Sequence, residues 1–199
     1  LFVPGIQAED NLNQEKIREH VYDVGNVMFD TFASLCPLPA PKDEDQYSYI
    51  SIHRQETVES KVRLENIMEA ITGNELFYFP SHPRTRAQLL KFGIEIPKNV
   101  KVIDPLQYKE NIFLMASARR ILTDSGGVQN EAYWLLRPCG ILRKETEWVE
   151  YTKDGHNVLV DADITDIRLF LDKKFRVGAP HPSMPFFGAK RRIRDILNS

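Results

Sequence analysis

The chain has 199 residues, and its 26 basic and 28 acidic side chains give a formal net charge of −2. A hydrophobic fraction of 42% together with 10 glycines is the composition of an ordinary globular chain and sets disorder aside. No apolar run approaches the ~18 residues of a membrane span, and charge so near balance disfavours a nucleic-acid binder.

The length suits one domain of ordinary to large size, or one domain with an appendage. The first residues, Leu1-Phe-Val-Pro-Gly5, carry neither an initiator Met nor a basic leader, which reads as a chain cut from something longer. Cys36 and Cys139 have neither metal-ligand spacing nor the density of a disulfide scaffold, so a reduced, cytoplasmic protein is the expectation. In chain order, Cys36 to Asp45 reads as a charged, proline-rich loop. Tyr47–Ile52 then reads as a strand, and Val58, Val62, Ile67, Met68 and Ile71 as one face of a helix ending near Gly73. Leu76–Phe79 is a second strand, and the helix after Pro83 carries Ala87, Leu89, Leu90 and Phe92 and stops at Gly93 in the left-handed conformation. Val100–Ile103 precedes a helix around Ile112, Phe113, Met115 and Ala116. Arg120–Thr123 precedes one from Gly126 to Leu136, and Cys139–Leu142 and Asn157–Val160 complete the strands. Gly178 to Pro185 reads as an extended arm, and 187–199 as a terminal helix with apolar Ile193, Ile196 and Leu197 opposite the basic run Lys190–Arg194. Strands separated by helix-length segments imply right-handed crossovers, hence a three-layer α/β fold with a Rossmann-like parallel sheet. The expected organisation is a single domain over 1–186 and the helix at 187–199.

In such a sheet ligands bind beyond the carboxyl ends of the strands. Those positions hold His53-Arg-Gln-Glu56, Pro80-Ser-His-Pro-Arg84, Asp104-Pro-Leu106 and Asp124-Ser-Gly-Gly127. Ser125 is placed to cap a helix, and Gly126 and Gly127 leave bare backbone N–H groups where the helix dipole attracts an anion, so a phosphate fits there. The same turn also reads as a plain capped helix. Glu131 lies one helical turn further on, where its carboxylate could accept both hydroxyls of a ribose or simply face solvent. His53 reads either as a cap within its own loop or as a donor to a leaving diphosphate. His82 and Arg84 read as a surface loop or interdomain contact. Trp148 reads as core packing or as a wall for a sugar or base. No Walker loop, nucleophile elbow or zinc-helix motif is present.

Taken together, Asp124-Ser-Gly-Gly-Val-Gln-Asn-Glu-Ala132, His53-Arg-x-Glu56, Asp104-Pro-Leu-x-Tyr108, Glu145-Thr-Glu-Trp-Val-Glu150 and Gly25-Asn-x-x-x-Asp30 strongly resemble the non-hydrolysing UDP-N-acetylglucosamine 2-epimerases. The resemblance runs from about Leu1 to Asp161. It implies the second, nucleotide-binding domain of the GT-B architecture, with the N-terminal partner domain absent, and a homodimeric cytoplasmic isomerase of cell-surface polysaccharide biosynthesis. It implies a UDP-N-acetylglucosamine or related UDP-amino sugar substrate, whose UDP is expelled as the carbon 2 proton is removed and then re-added with carbon 2 inverted. Neither a nicotinamide nor a metal is required. By this resemblance His53 acts catalytically at the diphosphate, Ser125, Gly126 and Gly127 hold phosphates, Glu131 holds the ribose, and backbone near Leu106 and Asn111 meets the uracil. Trp148 stands where many family members have Arg, which opens the door to modified UDP-amino sugars. The acid/base carboxylates of the family belong to the other domain, so the isolated chain is expected to be inactive. A GT-B glycosyltransferase donor domain and a non-enzymatic nucleotide-sensing module are the competing readings.

Overall fold

The computed structural model describes residues 1–38, 47–153, 155–175 and 187–198. The chain packs as two units, Leu1–Leu38 with His181–Ser199, and Pro39–Pro180. This differs from the expectation of a single body over 1–186, and the reason lies in the first 38 residues. There β1 (Phe2–Val3), α1 (Ile6–Gln14), β2 (Tyr22–Asp23) and α2 (Val27–Ala33) form a small unit in which β1 pairs in parallel with β2 alone. The Gly25-Asn26 turn starts α2, with the Asn26 side chain accepting from the N–H of Met28 at 2.9 Å.

The larger unit alternates strand and helix throughout. In order come β3 (Tyr47–Ser51), α3 (Gln55–Val58), α4 (Lys61–Ala70), β4 (Leu76–Pro80), α5 (Pro83–Phe92), β5 (Val100–Ile103), α6 (Tyr108–Ala116), β6 (Ile121–Thr123), α7 (Gly126–Trp134), β7 (Cys139–Ile141), β8 (Asn157–Leu159) and α8 (Ile164–Asp172). All strand pairings are parallel, in the order β5-β4-β3-β6-β7-β8. Counted from β3, this is the doubly wound 3-2-1-4-5-6 order, with the winding reversing between β3 and β6. The helix expected from Val58 to Ile71 is divided at Ser60, whose hydroxyl accepts from the N–H of Arg63 and starts α4 afresh, leaving Val62 exposed. Gly93 ends α5 at φ 67, as expected.

Helices cover both faces, and the strands show it by alternation. Ile50, Phe77, Phe79, Leu122 and Leu142 pack with Leu64, Ile67, Leu89, Ile167 and Phe170 on one face. Tyr49, Ile121, Cys139 and Ile141 pack with Met115 and Ala132 on the other. Cys36 is exposed and Cys139 buried, both as free thiols, and burial raises the pKa of the Cys139 thiol.

The last helix, α9 (Ala189–Leu197), belongs to the smaller unit, where Asp30 accepts from the N–H groups of Gly188 at 2.7 Å and Lys190 at 2.8 Å. Its expected apolar side is only part realised, since Ile193 and Ile196 are half-buried but Leu197 is exposed. The arm at 178–185 and most of the loop at 36–45 lie outside the described residues.

Gly140, on β7, lies against Phe170 of α8. A Cβ added there would lie 2.6 Å from Cδ2 of Leu122 and 3.0 Å from Cδ1 of Phe170. Gly140→Ala is therefore expected to overpack the core and cost about 1–3 kcal/mol, read as a lower denaturant midpoint. An unchanged midpoint would show that α8 can retreat at no cost.

Candidate functional site

The reversal between β3 and β6 opens a crevice beyond their carboxyl ends, which is where ligands of doubly wound sheets are bound. The two strand ends are tied together there. Ser51 and Thr123 share a hydroxyl hydrogen bond of 2.7 Å across the strands. One residue further on, the Asp124 carboxylate accepts from the backbone N–H of His53 at 3.1 Å and of Arg54 at 3.0 Å. Asp124 is 0% exposed, whereas the His53 side chain is 53% exposed with Nδ1 3.5 Å from the same carboxylate. The loop after β3 is thus held by its backbone, and the imidazole projects from it.

The turn after β6 forms as the sequence predicts. Ser125 caps α7, its hydroxyl accepting from the N–H of Val128 at 3.3 Å, and its own N–H donates to the Thr123 hydroxyl. Gly126 is buried, and the position a Cβ would take on it lies 2.0 Å from Oε1 of Glu147. A carboxylate of the chain itself therefore covers the first residue of the helix. It is held by Arg143 at 2.6 Å and Arg54 at 3.3 Å, with Glu56 3.7 Å from Arg143 on the other side. Partial burial works to raise the Glu147 pKa, but hydrogen bonds and the two guanidinium groups outweigh it and hold the carboxyl below its ordinary value. Arg54 lies in the expected rim segment His53–Glu56 and Glu147 in the Glu145–Glu150 motif, but neither they nor Arg143 has an expected role at the site.

Glu131 is not solvated. It is 5% exposed on α7, and burial pushes its pKa up to about 7, opposed by a hydrogen bond from the Tyr108 hydroxyl. Tyr108 opens α6, so this contact joins the helix after β5 to the helix after β6, and burial beside Glu131 raises the tyrosine pKa. Asn111, on the same helix, has its side chain engaged with the Tyr49 hydroxyl at 2.9 Å and with Sδ of Met115 at 3.5 Å. Leu106 is half-buried in the loop before α6. The structure thus gathers His53, Ser125 and Gly126 around Asp124, seats Glu131 one turn deeper, and turns the Asn111 side chain to the core.

His82, Arg84 and Trp148 take the plainer of their readings. His82 caps α5, its Nδ1 accepting from the N–H of Arg84, and Arg84 pairs with Glu59 at 2.6 Å. Trp148 stacks on Tyr151 at 5.7 Å between ring centres, and Tyr151 stacks on Tyr133 of α7 at 4.1 Å. Thr146 adds a 2.6 Å hydrogen bond to the buried Gln129, so the loop carrying Glu147 is fastened to α7. Among the described residues there is no group of three or more His, Cys, Asp or Glu that could hold a metal ion, and no helix long and apolar enough to cross a membrane.

A doubly wound sheet with a capped glycine turn at its switch point defines a Rossmann-like domain of nucleotide-binding type. Residues 1–197 match the family described as UDP-N-acetylglucosamine 2-epimerase, and the chain belongs to that family. A UDP-N-acetylglucosamine 2-epimerase homolog of Methanococcus maripaludis is 42% identical over 82% of this chain and 50% of its own length. The UDP-2,3-diacetamido-2,3-dideoxy-D-glucuronate 2-epimerase of Pseudomonas aeruginosa is 38% identical over 81% of this chain and 48% of its own. The chain spans about half the length of these relatives. Among solved structures, the UDP-GlcNAc 2-epimerase of Methanocaldococcus jannaschii in complex with UDP-GlcNAc and UDP superposes with a TM-score of 0.84 at 31% identity, covering 100% of this chain and 61% of that one.

The buried Glu131 makes stability depend on pH. Its folded pKa lies above the unfolded value of 4.5, so the folded state holds the proton more tightly, and stability falls as pH rises from 4.5 to about 7. Glu131→Gln removes that dependence. Relative to wild type, the variant is expected to gain roughly 2–4 kcal/mol between about pH 4 and about pH 8, read from denaturant unfolding at each pH. A difference that does not change with pH would place Glu131 in water.

Proposed function

We propose that this chain is the UDP-binding half of a sugar-nucleotide 2-epimerase whose substrate is UDP-N-acetylglucosamine or a related UDP-amino sugar. The observation that carries the reading is the buried Glu131 carboxylate one helical turn beyond Gly127, in the helix that starts at the switch point. That spacing suits a ribose diol and the phosphates attached to it. In this reading the N–H groups of Gly126 and Gly127 and the Ser125 hydroxyl receive the diphosphate, displacing Glu147, and Arg54 and Arg143 then face phosphate oxygens. Glu131 exchanges its Tyr108 hydrogen bond for the ribose hydroxyls, and the backbone near Leu106 and Asn111 faces the uracil.

His53 has the catalytic role. Its Nδ1 faces Asp124, so Nε2 is free to donate to the diphosphate, on which negative charge grows as the bond to the anomeric carbon breaks. The proton leaving carbon 2 goes to a carboxylate of the N-terminal partner domain. UDP then re-adds to the glycal, and a proton returns to carbon 2 from the opposite face. A homodimer and a cytoplasmic location belong to the same proposal.

Trp148 favours a second reading of the substrate. It stands where many members of the family have Arg, and in its stack with Tyr151 it offers no charge to the sugar. With the Pseudomonas aeruginosa relative named for a diacetamido-glucuronate nucleotide, a modified UDP-amino sugar is the alternative substrate.

The enzyme containing this chain, incubated with UDP-N-acetylglucosamine in deuterated water, is expected to place deuterium at carbon 2. Transfer of the sugar to an acceptor with release of UDP, and no deuterium incorporated, would identify a glycosyltransferase instead.

Binding to the chain itself separates the phosphate turn from the nucleoside contacts. In Gly126→Ala the new Cβ meets the ends of two flexible side chains, Glu147 at 2.0 Å and Arg54 at 3.6 Å, so the fold is kept. UDP affinity is expected to fall about tenfold or more through the loss of charge-assisted bonds, while uridine affinity is unchanged. Equal losses for both ligands in calorimetry would remove the phosphates from this turn.

A further inference from the structure

A line of hydroxyl groups runs through the centre of the large sheet. Tyr49 and Ser51 lie two residues apart on β3 and so share the face that packs on Met115 of α6, and Ser51 stands directly opposite Thr123 in the pairing of β3 with β6. The Ser125 N–H reaches the Thr123 hydroxyl at 3.0 Å, and Thr123 meets Ser51 at 2.7 Å. Ser51 hydrogen-bonds in turn to the Tyr49 phenol, which reaches Oδ1 of Asn111 at 2.9 Å. These bonds lead without a gap from the cap of α7, at the glycine turn, to the first turn of α6. Tyr49, Ser51 and Thr123 are all buried.

The Asn111 end fixes where every proton points. The sulfur of Met115 accepts but cannot donate, so Asn111 turns Nδ2 to it at 3.5 Å and Oδ1 to Tyr49. Tyr49 therefore gives its one proton to Asn111, and its bond with Ser51 is one that Ser51 donates. Ser51 has then spent its own proton, so Thr123 must donate to Ser51 and is left to accept from the Ser125 N–H, which can only donate. Burial pushes the Tyr49 pKa up to about 12, so the phenol keeps its proton at neutral pH.

A buried relay with every donor committed is strengthened when whole, and removing one hydroxyl leaves unpaired groups on both sides of the gap. It is also the tie between the two helices that a nucleotide leaves alone. The other tie, from Tyr108 to Glu131, opens in the proposed reading when the ribose takes Glu131. The relay lies under the site, within the sheet, and keeps α6 in register with the glycine turn after that contact is given up.

We propose that Tyr49 and Ser51 are positioning residues for the nucleotide: through Thr123 and Asn111 they hold the base-facing backbone near Leu106 and Asn111 at a fixed span from the glycine turn. The inference rests on the nucleotide site proposed above. A ligand that carries base and diphosphate together meets both ends of the site at that span, so its second contact is an intramolecular one. Uridine or pyrophosphate alone engages one end and is indifferent to the span.

Calorimetry of UDP, uridine and inorganic pyrophosphate on the chain and its variants tests this. Ser51→Ala and Tyr49→Phe should each weaken UDP by about tenfold, while uridine and pyrophosphate stay within about twofold of wild type. Thr123→Ser keeps a hydroxyl in the line and should bind UDP as wild type does. Thermal unfolding without ligand identifies the variants that keep the fold; Ser51→Ala, which removes a single oxygen, carries the test if Tyr49→Phe does not fold. Folded Ser51→Ala that binds UDP as tightly as wild type, while Gly126→Ala still weakens it, would overturn the positioning role and leave the nucleotide site standing. Losses shared equally by the three ligands would make the relay a support of the fold alone and overturn the proposal as well. Wild-type affinity for UDP no greater than for uridine would remove the nucleotide site, and this inference with it.

Discussion

The carboxylate of Asp124 has no solvent contact, yet it lies among backbone N–H groups at the ends of two central strands. A buried charge of this kind is tolerated only when hydrogen-bonded, and removing its partners would leave a desolvated anion in the middle of the sheet. The interaction therefore fixes two loops at once. It sets where β3 stops and where α7 starts, and so the distance between the exposed imidazole of His53 and the first turn of the helix. Glu131 and Tyr108 take their places from that frame, because α7 and α6 leave the same rim.

Much of the larger unit was legible in the chain. Each of its strands falls where apolar and β-branched residues run together, and Ser125 caps its helix as a serine before two glycines should. The break at Ser60 could have been foreseen, since serine is among the residues most favoured to cap a new helix. The smaller unit was not legible: two-residue strands such as Phe2–Val3 carry no periodicity, and the Asp30 contact with Gly188 and Lys190 joins residues nearly 160 apart. The role of Glu147 was hidden for a similar reason. It lies in a loop, and only the aromatic stack on Tyr133 and the Thr146 bond to Gln129 reveal where that loop is carried.

Glu131 shows how one position can satisfy a motif and still surprise. Its spacing from Gly127 reads directly from the sequence, but its burial and its tyrosine partner do not, since these depend on α6 and α7 meeting. The Trp148 stack is comparable. An indole on the sequence is equally a wall or a packing residue, and the parallel rings of Tyr151 and Tyr133 decide for packing.

Glu147 also bears on how any anion enters the turn at Gly126. Without it, Arg54 and Arg143 would crowd a helix N-terminus, with Glu56 beside Arg143 as counter-charge. With it, the turn is already neutralised by a tethered counter-ion. In the proposed reading, a phosphate arriving there exchanges with the Glu147 carboxylate, which is solvated as the phosphate is desolvated. Affinity then measures the difference between two sets of ion pairs, and its dependence on ionic strength is shallower than two arginines would imply. Selectivity follows from the same exchange: a singly charged anion gains little over the carboxylate it replaces, whereas a diphosphate brings more charge than the tether can offer.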